Sequence, residues 1–221
     1  MAVVIMFFFA SNSFAQKTKT FQGTITYNIS YTGGNITPAE KAQLPTTSTV
    51  TIKDCKTKTE AVSGPVTQAA VTDGATKSVT VFIDFGDTMK YVIKLAPADL
   101  AEELAAAPAP TVNITTETKV ISGFNCKKAI LTTKEDSTIT TDTIYFTEEI
   151  GCKDLNFSNP NFKDIPGAVL QYSEFNSQLN ATAVYTVSEI KKSKVSDNIF
   201  LIPSNFRELT KEQATKMFGG E

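Results

Sequence analysis

The feature that most constrains this chain is a strict alternation between residues 21 and 31. Phe21, Gly23, Ile25, Tyr27, Ile29 and Tyr31 fall on one side of an extended chain; Gln22, Thr24, Thr26, Asn28 and Ser30 fall on the other. Side chains on a strand point alternately to its two faces, so this period of two predicts a strand with one face buried and one in water. The Gly33-Gly34 pair ends the strand.

The same rhythm recurs. Val50 and Ile52 open a second strand that continues into polar Lys53 to Glu60. Val79, Val81, Ile83 and Phe85 alternate, Gly86-Asp87 makes a turn, and Met89, Tyr91, Ile93 and Leu95 run back, which predicts a hairpin. Further strands are predicted over residues 112–119, 124–133, 139–147, 168–175, 181–189 and 199–202. Abundant Thr suits a pleated surface with one wet side.

Helical signals are few. Thr37-Pro38-Ala39-Glu40 is a capping box with Pro at the first helical position, and Thr210-Lys211-Glu212-Gln213 is a second. Pro97 to Ala107, rich in Ala, Leu and Glu, stops at Pro108 and Pro110. Nine or ten strands with two or three short helices predict a mainly β fold. A sheet of that size curls, so the expected architecture is a half-open β-barrel with helices on its concave side.

The first fifteen residues stand apart. Ala2 to Ala10 is nearly all apolar, too short to span a bilayer, and small Ser13 and Ala15 precede polar Gln16-Lys17. The expectation is a signal peptide at 1–15 and a single domain at 16–221. Gln16 would then begin the mature chain. Without a Cys there, a periplasmic or secreted protein is expected rather than a lipoprotein. No later segment is apolar enough to be a transmembrane helix.

Some segments look familiar. They include Phe21-Gln22-Gly23-Thr24-Ile25-Thr26-Tyr27, Ser122-Gly123-Phe124-Asn125-Cys126-Lys127, Tyr145-Phe146-Thr147-Glu148-Glu149, Ile165-Pro166-Gly167-Ala168-Val169-Leu170 and Phe200-Leu201-Ile202-Pro203. Their order resembles the secreted GLPGLI-type proteins and related domains of unknown function of Bacteroidota, which are similar to the LolA/LolB/RseB group of periplasmic half-barrels. Residues 165–170 stand where the name-giving pattern reads Gly-Leu-Pro-Gly-Leu-Ile. The resemblance implies export and a curved sheet, and it supplies no catalytic residues.

Several function classes lose support. A net charge of -2 offers no basic face for nucleic acid. The chain has no His, which removes Ser-His-Asp and Cys-His nucleophile schemes and the commonest metal ligand. Three scattered Cys match no zinc spacing. Adjacent carboxylates (Asp84 with Asp87, Glu102 with Glu103, Glu148 with Glu149) read as turn, helix-face and strand-end solvation rather than a glycosidase pair. The Asn-X-Ser/Thr triplets at Asn28, Asn35, Asn113, Asn156 and Asn180 are what a Thr-rich strand protein acquires by chance. The chain is therefore expected not to be an enzyme and to need no cofactor or metal.

Among the cysteines, Cys126 starts one predicted strand and Cys152 lies just past the next. A hairpin turning near Asp136-Ser137 would bring them together, so Cys126–Cys152 is the first candidate disulfide, with pairing through Cys55 as the alternative. The aromatic residues within or beside strands suggest either an ordinary core or an open apolar lumen beneath the Pro97–Ala107 helix. The lumen candidates are Phe21, Tyr27, Tyr31, Phe85, Tyr91, Tyr145, Tyr172 and Tyr185. The expected function is binding of a lipid, lipoprotein or other apolar ligand. The alternative is contact with an envelope protein through sheet edges and loops.

Overall fold

The computed structural model describes residues 20–87, 89–135 and 138–218. The expected signal peptide and the Asp136-Ser137 turn lie outside the described residues.

The alternating segment forms β1 (Gln22–Gly33), which joins two halves of one sheet. On one side, hairpins lay down β2 (Thr47–Lys53), β3 (Lys56–Ser63), β4 (Val66–Asp73), β5 (Ser78–Asp84) and β6 (Lys90–Leu95) in chain order. On the other, β11 (Ala181–Lys192), β10 (Ala168–Asn176), β9 (Thr138–Thr147), β8 (Phe124–Glu135) and β7 (Thr111–Ile121) follow in reverse. A short β12 (Arg207–Leu209) adds parallel to β6; every other pair is antiparallel. The result is one twelve-stranded, curled sheet that does not close, with three helices: α1 (Pro38–Lys41), α2 (Pro97–Ala106) and α3 (Lys211–Phe218). The chain is mainly β and its form is that of a half-open barrel.

Two irregularities in the ladder favour the bend. Thr26 pairs with Glu189 but Tyr27 with Val187, leaving Ser188 as the extra residue of a bulge. Leu170 is likewise skipped between the Val169–Phe146 and Gln171–Tyr145 pairs. Bulges of this kind bend a strand and increase its twist.

Three expectations need correction. The polar run expected to prolong the second strand instead turns at Asp54-Cys55, where Asp54 takes a positive φ of 56°, and returns as β3. β4 lies within an Ala- and Thr-rich stretch whose alternation is too weakly apolar to announce a strand. Residues 197–200 form a 3-10 turn capped by Ser196, not a strand. It ties down a segment whose Phe200 and Phe206 cover Ala69, Val71, Phe82 and Val92 on the convex face.

The capping boxes form as read. Thr37 accepts from the Glu40 amide while the Glu40 carboxylate accepts from the Thr37 amide, and Thr210 and Gln213 repeat the arrangement. α2 packs Leu100 and Leu104 against Val79, Val81 and Leu95, inside the curl. It also carries the chain from β6 to β7, at the far edge of the sheet.

Candidate functional site

Cross-strand partners share a face, so the register alone defines two rows of side chains on the concave side. One runs Ile25, Val50, Thr59, Ala70, Val81, Ile93; the next runs Gly23, Ile52, Thr57, Thr72, Val79, Leu95. Each row is bulky on β2, β5 and β6 and small or hydroxylated at β3 and β4. Thr57, Thr59, Ala70 and Thr72 leave a hollow where larger residues would fill the curl.

The hollow is roofed by the connection 148–167 rather than by α2. This long β9–β10 loop has no helix or strand, yet it is heavily buried: Ile150 and Ile165 are fully inside, and Leu155, Phe157 and Phe162 nearly so. It is built of successive tight turns, with Leu155 N–H donating to Cys152 C=O, Asn159 N–H to Asn156 C=O, and Phe162 N–H to Asn159 C=O. Asn156, midway along the loop, ties it to its own C-terminal end, its Nδ2 donating to the carbonyls of Ile165 at 2.9 Å and Gly167 at 2.8 Å. Gly167 sits at φ 80°, and a Cβ there would run into the Thr147 carbonyl. The loop then crosses the concave face, and Phe157 joins Val79 and Leu100 at the far side.

A disulfide pins it. Cys152 is bonded to Cys55 in the β2–β3 turn, with Cα atoms 5.4 Å apart. This corrects the Cys126–Cys152 expectation. The β8–β9 hairpin does form, but after Thr147 the chain leaves the sheet and folds inward, where Cys152 meets Cys55 of the β2–β3 turn. Cys126 stays a free thiol, fully buried among core residues that include Phe124 and Ile121, and burial pushes its pKa up. Beside the disulfide, Lys77 pairs with Asp154 at 3.1 Å and lies over the Phe157 ring.

Between loop and sheet remains a cavity of about 370 Å³. Strands β2–β4 contribute Ser48, Val50, Ile52, Thr57, Thr59, Ala70 and Thr72; the loop contributes residues between Leu155 and Phe162; Ile25, Tyr27, Ala168, Val169 and Tyr172 complete the wall. None of the lining residues is charged.

The eight lumen candidates do not share one space. Tyr27 and Tyr172 line the cavity, packed edge to face. Tyr185 stacks flat on Tyr172 at 4.4 Å between ring centres. Tyr31 does not line the cavity and donates to the Pro45 carbonyl. Phe21 packs against Phe124, and Tyr145 lies beneath the Lys119 ammonium. Phe85 and Tyr91 belong to a separate cluster at the β6 end of the sheet, around Phe218 of α3. Register puts Tyr145 beside Gln171, on the face opposite Tyr172 and Tyr185, with its neighbours Ile144 and Phe146 fully buried instead, which corrects that candidate; for the others alternation gave the face but not how far apart the curl would carry them. It also missed the loop and the small Thr and Ala residues. The signal available was the run of Thr57, Thr59, Ala70 and Thr72, modest in size at positions that alternation assigns to one face.

Burial dominates the electrostatics here. It pushes the Tyr27 and Tyr172 hydroxyls far above the ordinary tyrosine range and Tyr185 up to about 12. Glu174, inward on β10 and half-buried, has its carboxyl raised by burial, while a hydrogen bond from Asn159 works the other way. Among the described residues, no group of three or more Cys, Asp or Glu side chains is arranged to hold a metal.

No family model matches the chain, and no curated protein matches it. Solved structures do. The structure of PNGF-II in the P21 space group aligns with a TM-score of 0.56 at 19% identity, over 90% of this chain and 34% of that one. PNGF-II in the C2 space group gives 0.53 at 19%, over 87% and 31%. The chain shares its fold with part of PNGF-II. It spans about a third of that protein's length, and the likeness is one of fold alone.

Proposed function

We propose that this chain is an exported, non-catalytic binding protein of the cell envelope that holds a small apolar ligand beneath the 148–167 loop. The observation that carries the reading is the cavity of about 370 Å³ lined without a charged side chain. That volume lies at the lower end of ligand pockets, which run from roughly 300 to 1,000 Å³. Each methylene moved from water into such a space contributes about 0.8 kcal/mol. The size suits one short acyl chain or a compact apolar group, not the several chains of a whole lipoprotein.

Export draws support from the apolar N-terminal segment and from the Cys55–Cys152 bridge, since disulfides persist in oxidising compartments. Native mass spectrometry of the protein recovered gently from its own compartment tests the proposal. A stoichiometric added mass, lost on organic extraction, is expected. A bare polypeptide mass that persists after incubation with membrane lipids would defeat it.

A second reading has one observation in its favour. β7 has strand pairing only to β8 and exposes Ile114 and Val120, and an open edge of this kind accepts an added strand. Its register shift between Ile114 and Thr118, and its charged Glu117 and Lys119, act against such pairing. Cross-links from β7 to another envelope protein, in a chain free of bound ligand, would favour this reading over the first.

A further inference from the structure

Resting on that reading, the hydrogen-bond economy of the cavity narrows its ligand. Tyr27 spends its hydroxyl proton on the Val169 carbonyl at 2.7 Å, and Ser48 donates to the Glu60 carbonyl at 3.3 Å. Asn156 uses its amide nitrogen on the two loop carbonyls. Thr57 and Thr72 share a hydrogen between oxygens 2.8 Å apart, which leaves the pair one proton to offer. The Tyr27 and Ser48 oxygens and the Asn156 carbonyl still present acceptor capacity, and the wall also holds the Thr59 and Ser158 hydroxyls, which can donate or accept.

No Lys or Arg lines the space. A carboxylate or phosphate head would therefore meet neutral hydroxyls and no counter-charge, and burying an unpaired charge is costly. An ammonium head would find acceptors, but the Glu174 carboxyl stands behind Asn159 rather than in the wall, and burial disfavours its charged form. An uncharged donor meets neither penalty. Beside the Thr57–Thr72 pair, Val50 and Ile25 of the next row, with Val169 and Phe162, offer apolar surface.

We infer that the cavity takes a short single-chain amphiphile whose head is uncharged, an alcohol in chemical class, with the head at the Thr57–Thr72 pair and the chain running past Val50 and Ile25 toward Phe162. At roughly 30 Å³ for each water-sized group, the volume holds on the order of ten heavy atoms.

The test compares 1-decanol, decanoate and decylammonium by calorimetric titration at neutral pH, using the folded protein and an Ala70→Leu variant that narrows the cavity. Decanol is expected to bind at least about tenfold more tightly than either ion, because only the ions must shed hydration without a partner. Its binding is expected to vanish in Ala70→Leu. Equal or tighter binding of decanoate or decylammonium would overturn the head-group assignment and leave the binding reading standing. Decanol binding that survives Ala70→Leu would place the ligand elsewhere and overturn the assignment too. If none of the three binds, the binding reading itself falls, and this inference with it.

Discussion

Cys152 is covalently bound to Cys55 across a sequence separation of 97 residues, which fastens the loop over the concave face to the β2–β3 turn. The bridge forms at the site where loop and sheet must stay together for the cavity to exist. Removing a native disulfide from a small exported domain costs about 2–5 kcal/mol, and a long closed loop tends to the larger values. Cys55→Ser is expected to lose stability on that scale, read from urea unfolding, while Cys126→Ser changes it far less. Peptide mapping should return the 55–152 pair, and Cys126 should react with thiol reagents only on unfolding. A mapped 126–152 pair would contradict the arrangement.

Asn156 holds the same loop from within. Asn156→Ala leaves the Ile165 and Gly167 carbonyls without their side-chain donor, at a cost of about 1–3 kcal/mol. The measurement is the urea midpoint together with amide hydrogen exchange, and the faster exchange should be confined to the loop between β9 and β10.

Glu174 gives a pH signature. Burial raises its pKa in the folded chain, so the folded state takes up this proton more readily than the unfolded state does. The stability this group contributes is therefore fullest at or below the ordinary glutamate range and declines as pH rises from that range through the raised folded value. Glu174→Gln keeps the amide contact with Asn159 and removes the titration. Its urea midpoint is expected to exceed that of the parent near pH 7 and to match it near pH 4. The same slope in both proteins would show that Glu174 is not its source.

Ala70 faces Thr59 on one side and Val81 on the other, in the row where side chains are smallest. Because its replacement by Leu fills empty space rather than a packed core, Ala70→Leu should change stability by no more than about 1 kcal/mol. Thermal unfolding checks this, and a drop of several kcal/mol would mean that the hollow is not there to be filled.

Much of the fold was legible from alternation alone. β1, the β5–β6 and β8–β9 hairpins, both capping boxes and α2 lie where the pattern puts them, because each depends on neighbours in sequence. The site was far less legible. Leu155, Phe157, Phe162 and Ile165 follow neither the strand nor the helix period, so nothing local marks them as the roof of the curl. Cys55 meets Cys152 only because the chain turns inward after Thr147. Phe85 and Tyr91 were grouped with Tyr172 by alternation, which assigns a face but not a position across a sheet of twelve strands. The hollow arises from modest residues, Thr57, Thr59, Ala70 and Thr72, whose meaning depends on their being aligned by register.

The claim that the space beneath the loop is a binding site is tested most directly by a crystal structure of the protein grown with 1-decanol. Continuous ligand density is expected between Thr59, Ala70 and Phe162, with the Cys55–Cys152 bridge intact. A cavity closed by the chain's own side chains, or ligand density only on the outer surface, would contradict it.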